Sequence, residues 1–81
     1  MNRNEVLARV AAIVTTLEET NGSPESMLYI FCDMNMDDWM VIRKVLVGSG
    51  LMECKGHYCT LTESGKETAH KLNAAIAAKK N

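Results

Sequence analysis

The sequence predicts a mainly α domain with a small β-hairpin (α+β), in the order helix, helix, helix, hairpin, helix. Three observations predict it. Apolar residues recur every three or four positions over residues 4–20 and again over 36–48; a double break, Gly48-Ser49-Gly50, ends the second stretch; and from Leu51 the apolar period shortens to that of a strand.

The first helix spans residues 4–20. Val6, Leu7, Val10, Ala11, Ile13, Val14 and Leu17 form one broad apolar face, and Asn21-Gly22 stops it because glycine accepts the left-handed conformation at a helix end. Ser23-Pro24-Glu25 starts the second helix, 24–32: serine caps it, proline sits at the first position where an N–H is not needed, and the acid faces the positive end of the helix dipole. Met27, Leu28, Ile30 and Phe31 are its core candidates. Asp33-Met34-Asn35 is a turn, and Asn35 caps the third helix, 36–48, whose first turn holds Asp37 and Asp38. Trp39, Ile42, Val45 and Leu46 fall on one side of it and form its core face.

Leu51 to Cys54 and His57 to Leu61 are two short strand-like runs, giving a hairpin over 51–61. Taking Lys55-Gly56 as its two-residue loop sets Cys54 opposite His57 and Met52 opposite Cys59. Thr62 caps the last helix, 63–79, which carries an apolar stripe of Ala69, Leu72, Ala75 and Ile76, with Lys79 and Lys80 at its C-terminal end.

With 81 residues the chain builds one core, so residues 1–81 form a single domain. A hydrophobic fraction of 47%, 23% charged residues and one proline describe a folding sequence. No apolar run reaches the roughly 18–20 residues that cross a bilayer, and the N-terminus lacks a basic stretch followed by an apolar signal core. Cys32, Cys54 and Cys59 are too few and too irregular for a disulfide framework. These features give a cytoplasmic protein with reduced thiols as the expectation. The net charge of −1 hides a division: residues 1–40 carry two arginines against seven carboxylates, a balance of −5, and residues 41–81 carry seven cations against three carboxylates, a balance of +4.

The run Val45-Leu46-Val47-Gly48-Ser49-Gly50-Leu51-Met52, followed by a hairpin and then Leu61-Thr62-Glu63-Ser64-Gly65-Lys66, resembles the winged helix-turn-helix regulators. In that family a third helix ends in glycine before an apolar wing strand, and the returning strand ends Leu-Thr-x-x-Gly at a final helix. The likeness covers about Pro24 to Lys79. It implies a recognition helix over 36–48 laid in the major groove of double-stranded DNA, with the hairpin tip near an adjacent phosphate, and hence a transcriptional regulator acting by site occupancy. On that reading Arg43, Lys44, Lys55 and Lys66 contact phosphates, His57 lies near the same backbone, and Asn35, Asp37 and Met40 face the groove.

The same helical wheel turns Asp37, Met40, Lys44 and Val47 outward, with Val41 and Arg43 on the flanks, and that face suits DNA poorly. A carboxylate repels phosphate, methionine and valine offer at most contact with thymine methyls, and the isoelectric point is about 6.1. The alternative is a winged-helix adaptor that binds another protein through a Met40-Val41-Val47 strip and does not bind DNA. The wide apolar face of the first helix and the stripe on the last give either a homodimer through helices 4–20 and 63–79 or a lid over a thin core.

No catalytic or cofactor chemistry is expected. Cys54, His57 and Cys59, completed by Cys32 or His70, lack the paired spacing that zinc favours and read as small hydrophobes. A cysteine near a histidine lacks an orienting acid at recognisable spacing. Gly48-Ser49-Gly50 lacks the longer glycine spacing and following lysine of a phosphate loop. Trp39 shares a face with Ile42 and Leu46, which makes it a core anchor rather than a platform for bases.

Overall fold

The computed structural model describes the backbone of residues 2–79 and the side chains of residues 2–75. Its elements are α1 (Arg3–Thr20), β1 (Ser23–Pro24), α2 (Glu25–Phe31), α3 (Met36–Gly48), β2 (Met52–Lys55), β3 (Tyr58–Leu61) and α4 (Glu63–Lys79). The described chain is mostly helical with a small antiparallel sheet in the order β1-β3-β2, the α+β class that the sequence predicts.

At the starts of α1, α3 and α4 a side-chain oxygen accepts one of the free N–H groups. Asn2 Oδ1 accepts from the Glu5 N–H at 2.9 Å, Asn35 Oδ1 from Asp38 at 2.8 Å, and Thr62 Oγ1 from Gly65 at 3.1 Å. Asn21, ahead of Gly22, takes the left-handed position that closes α1, with φ of 60°. The end of α3 is a Schellman motif. Gly50, with φ of 74°, donates its N–H to the Val47 carbonyl at 3.1 Å, and the Leu51 N–H donates to Leu46 at 3.0 Å. The same pair of bonds closes α2, from Asp33 to Ile30 and from Met34 to Tyr29, with Asp33 as the left-handed residue.

Three sequence expectations need correction here. Ser23 does not cap the second helix and Pro24 does not open it. The two form β1, pairing with Cys59 and Tyr58 of β3, and Pro24 in extended conformation precedes a helix that begins at Glu25. Of the four core candidates on α2 only Leu28 is buried; Met27, Ile30 and Phe31 face outward, Phe31 with 76% of its surface exposed. A seven-residue helix meets the core along one edge, and Met34, brought inward by the turn after it, takes the place assigned to its neighbours. Val45 of α3 is likewise 40% exposed, which leaves Trp39, Ile42 and Leu46 as the fully buried face.

The hairpin register also differs from the expected one. Met52 pairs with Leu61, Cys54 with Cys59 and Lys55 with Tyr58, so the two-residue loop is Gly56-His57 rather than Lys55-Gly56. Gly56 has φ of 62° and His57 has no positive φ, the pattern of a hairpin turn with glycine in its first central position. The shift carries His57 out of the ribbon and puts Met52, Cys54, Cys59 and Leu61 on one face.

That face closes a core built by Ile13, Val14 and Leu17 of α1, Leu28, Met34, the three α3 residues and Ala69 of α4. Helices α1 and α4 pack against each other within the chain. The faces read as a dimer surface are thus largely spent internally: Val6, Val10 and Leu72 pack on the core, and Leu7 is the exposed large hydrophobic residue of α1. Ala75 is exposed; the Ile76 and Lys79 side chains and Lys80 lie outside the described residues. Among the described residues no helix is long and apolar enough to cross a membrane.

Candidate binding groove

Along the solvent side of α3 run two adjoining hollows. One, of ≈ 630 Å³, is lined by Met40, Val41, Arg43, Lys44, Val47, Gly48 and Cys54; the other, of ≈ 440 Å³, by residues of α2, α3 and the hairpin turn, including Glu25, Tyr29, Met36 and His57. Met40 and Arg43 border both, so the two form one path from the hairpin tip to the end of α3. Its floor is apolar. Met40, Val41 and Val47 are 50%, 47% and 44% exposed on a helix whose other side is fully buried.

The wall between the hollows is held by Glu25. Its Oε1 accepts from the Trp39 indole N–H at 2.6 Å and lies 3.5 Å from Arg43 Nε, while Oε2 lies 3.2 Å from His57 Nδ1. The Glu25 backbone N–H also donates to the His57 carbonyl at 2.7 Å. One carboxylate at the start of α2 thereby ties down the α3 tryptophan, the groove arginine and the hairpin tip. The tip is anchored to the domain.

The Trp39 hydrogen bond, helped by the His57 bond and the Arg43 charge, holds the Glu25 carboxyl below its ordinary value of 4.5, against the opposing effect of burial. A depressed folded-state value means that Glu25 contributes stability above the unfolded-state value and loses it as pH falls through the folded one. Urea unfolding midpoints at about pH 6 and about pH 3 should therefore fall further for the wild-type chain than for Glu25→Gln. Parallel losses in the two proteins would show that the cluster adds no pH-dependent stability. Arg43 is held above its usual value, first by the Cys54 sulfur beside it and further by the Glu25 charge. Its Nε is buried without a hydrogen-bond partner, the 3.5 Å approach to Glu25 being an ion pair only.

The eight residues assigned to a DNA surface scatter by environment. Met40, Arg43 and Lys44 line the groove and His57 its end. Lys55 is exposed on β2 and Asp37 on the first turn of α3, while Asn35 is engaged in capping that helix. Lys66 lies apart, in a hollow with Leu17, Asn21 and His70 that shares no residue with the α3 path. Arg43 and His57 both face Glu25, which leaves Lys44 as the groove cation with no ion pair among the described residues. Sequence reasoning missed Glu25, read only as a dipole partner, and Cys54 as a groove residue. Neither has a local signal, since both roles depend on side chains from other elements.

Cys54 and Cys59 meet across the hairpin, while His57 sits on the turn against Glu25. Among the described residues no group of three or more His, Cys, Asp or Glu is placed to hold a metal ion. No protein-family model, no curated protein and no solved structure matches this chain.

Proposed function

We propose that the chain is a winged-helix module that binds a partner protein through the α3 groove, accepting an amphipathic segment whose apolar side chains lie on Met40, Val41 and Val47 and whose carboxylate pairs with Lys44. Support for the winged-helix reading comes from the Gly50 turn that leads α3 into β2 and from Leu61-Thr62-x-x-Gly65 at the start of α4. The observation that carries the protein-binding reading is the half-exposed apolar row beside Lys44, which has no ion pair among the described residues. Apolar surface grouped in a hollow is what a helix-in-groove partner buries, whereas a DNA-reading helix needs free cations and base-edge donors. Here Arg43 is drawn to Glu25, and Asp37 and Asp38 occupy the first turn.

The test uses two synthetic amphipathic peptides with the same leucine row, one flanked by glutamates and one by lysines, titrated into isotope-labelled protein. The glutamate peptide should shift the amide signals of Met40, Lys44 and Val47 and leave those around His70 unmoved. Met40→Asp should weaken binding by about tenfold or more, the cost of burying an unpaired charge, and Lys44→Glu should reverse the preference between the peptides. Double-stranded DNA fragments supply the competing outcome. If they bind while the peptides do not, and Lys44→Glu and Lys55→Glu each flatten the salt dependence by roughly one unit, the chain is a DNA-binding regulator instead.

A further inference from the structure

Cys54 and Cys59 are directly opposite each other in the hairpin, and both are free thiols. In a hairpin with a two-residue loop the flanking pair, here Lys55 and Tyr58, exchanges the ladder hydrogen bonds, so the next pair is the non-hydrogen-bonded one. Side chains approach most closely at such a pair, and its Cα separation of roughly 4.5 Å falls within the span of a disulfide. The two sulfurs are 2.8 Å apart. Closing a bond of about 2.05 Å asks for a movement of about 0.8 Å shared between two side chains, with no change of register.

The thiols differ in access. Cys59 is fully buried, whereas Cys54 is partly exposed and lines the α3 groove together with Arg43. We propose that Cys54 and Cys59 form a thiol–disulfide exchange site for low-molecular-weight disulfides, with Cys54 as the entry thiol and Cys59 as the resolving one.

In the first step the Cys54 thiolate attacks one sulfur of a small disulfide RSSR. The Cys54–SR bond forms, the RS–SR bond breaks, and RS⁻ leaves to take a proton from solvent. In the second step Cys59 loses its proton to solvent and attacks the Cys54 sulfur, expelling the second RS⁻. The two cysteines are oxidised by two electrons and RSSR is reduced to two RSH. Burial, with added contributions from Cys54, pushes the Cys59 thiol up to about 12. Nothing in this chemistry requires an occupant of the groove.

The experiment treats the full chain with bis(2-hydroxyethyl) disulfide, alkylates the remaining thiols and digests with trypsin, which cuts after Lys44, Lys55 and Lys66. The expected result is a loss of about 2 Da from the intact chain before alkylation, then a single linkage joining peptides 45–55 and 56–66, and Cys32 recovered in alkylated form. A reductant should restore the starting mass. Cys54→Ala should leave Cys59 unmodified, and Cys59→Ser should stall with one adduct on Cys54. Because Cys59 is fully buried its variant can lose the fold, in which case the wild-type linkage map and Cys54→Ala decide. A lasting adduct on Cys54 in the wild-type chain, oxidation of Cys32 ahead of the pair, or no oxidation of the folded chain would each overturn the assignment.

Discussion

Trp39→Ala should cost about 3–5 kcal/mol of stability, as full truncation of a buried aromatic does, and for a domain of this size that approaches the whole margin of folding. Trp39 is fully buried, its ring centroid lies 6.2 Å from that of Tyr29, and its indole N–H reaches Glu25 Oε1. Removal empties the middle of the core and strips Glu25 of the bond that contributes most to its lowered value. Trp39→Phe separates these effects: the ring keeps most of the volume and lacks the donor, so it should cost less than half as much while raising the Glu25 titration toward 4.5. Urea unfolding followed by circular dichroism is the appropriate measurement, since Trp39 is the chain's one tryptophan and its fluorescence goes with it. A Trp39→Ala protein within about 1 kcal/mol of wild type would mean that α3 does not anchor the core in the way its burial implies.

The features legible in the sequence were those set by neighbours in the chain. Asn35 and Thr62 announce helix starts because a side-chain oxygen three residues before a free N–H satisfies it locally, and both caps are present in the fold. The period of α3 points to Trp39, Ile42, Val45 and Leu46, and three of the four are fully buried while Val45 is not, because a helix of 13 residues repeats its buried face often enough to define its centre but not its edge. The α2 wheel failed for the opposite reason, since seven residues make two turns and four apolar positions among them do not single out a side. Strand β1 is two residues long, and its partner Cys59 lies 36 positions further on, so no local period marks it. The hairpin slipped by one because a glycine serves either central position of a tight turn, and Lys55-Gly56 and Gly56-His57 are both admissible readings of the same letters.

The groove was half legible. Outward Met40, Val41, Lys44 and Val47 follow from the same wheel that buries Trp39, whereas the state of Arg43 does not. It is fixed by a carboxylate 18 residues earlier on another helix. Counting Arg43 as a free cation favours DNA, and pairing it with Glu25 shifts the balance toward an apolar partner. One ion pair thus changes which class of partner the same face suits.

Gly65→Ala should destabilise the domain by about 2–3 kcal/mol, against the sign that helix propensity assigns to it. Replacing a helical glycine by alanine ordinarily gains up to about 1 kcal/mol. At Gly65 an added Cβ would collide with the Leu51 carbonyl and press on Leu61. That carbonyl is already committed: it accepts from the Thr62 N–H at 3.1 Å, while Thr62 Oγ1 donates to Gly50 at 2.5 Å. The end of α3, the start of β2 and the first turn of α4 therefore meet at one backbone crossing, and only a residue without a side chain lets the helix lie that close. Overpacking of this kind costs about 1–3 kcal/mol and the loosened hydrogen bonds about 1 kcal/mol each, which outweighs the propensity gain. Gly48→Ala is the matched control, because the space around Gly48 is open and its φ is not positive, so it should stabilise by a few tenths to about 1 kcal/mol. Equal and favourable shifts in the two variants, measured by chemical denaturation, would mean that the Leu51 carbonyl does not exclude a side chain at the glycine of Leu61-Thr62-x-x-Gly65.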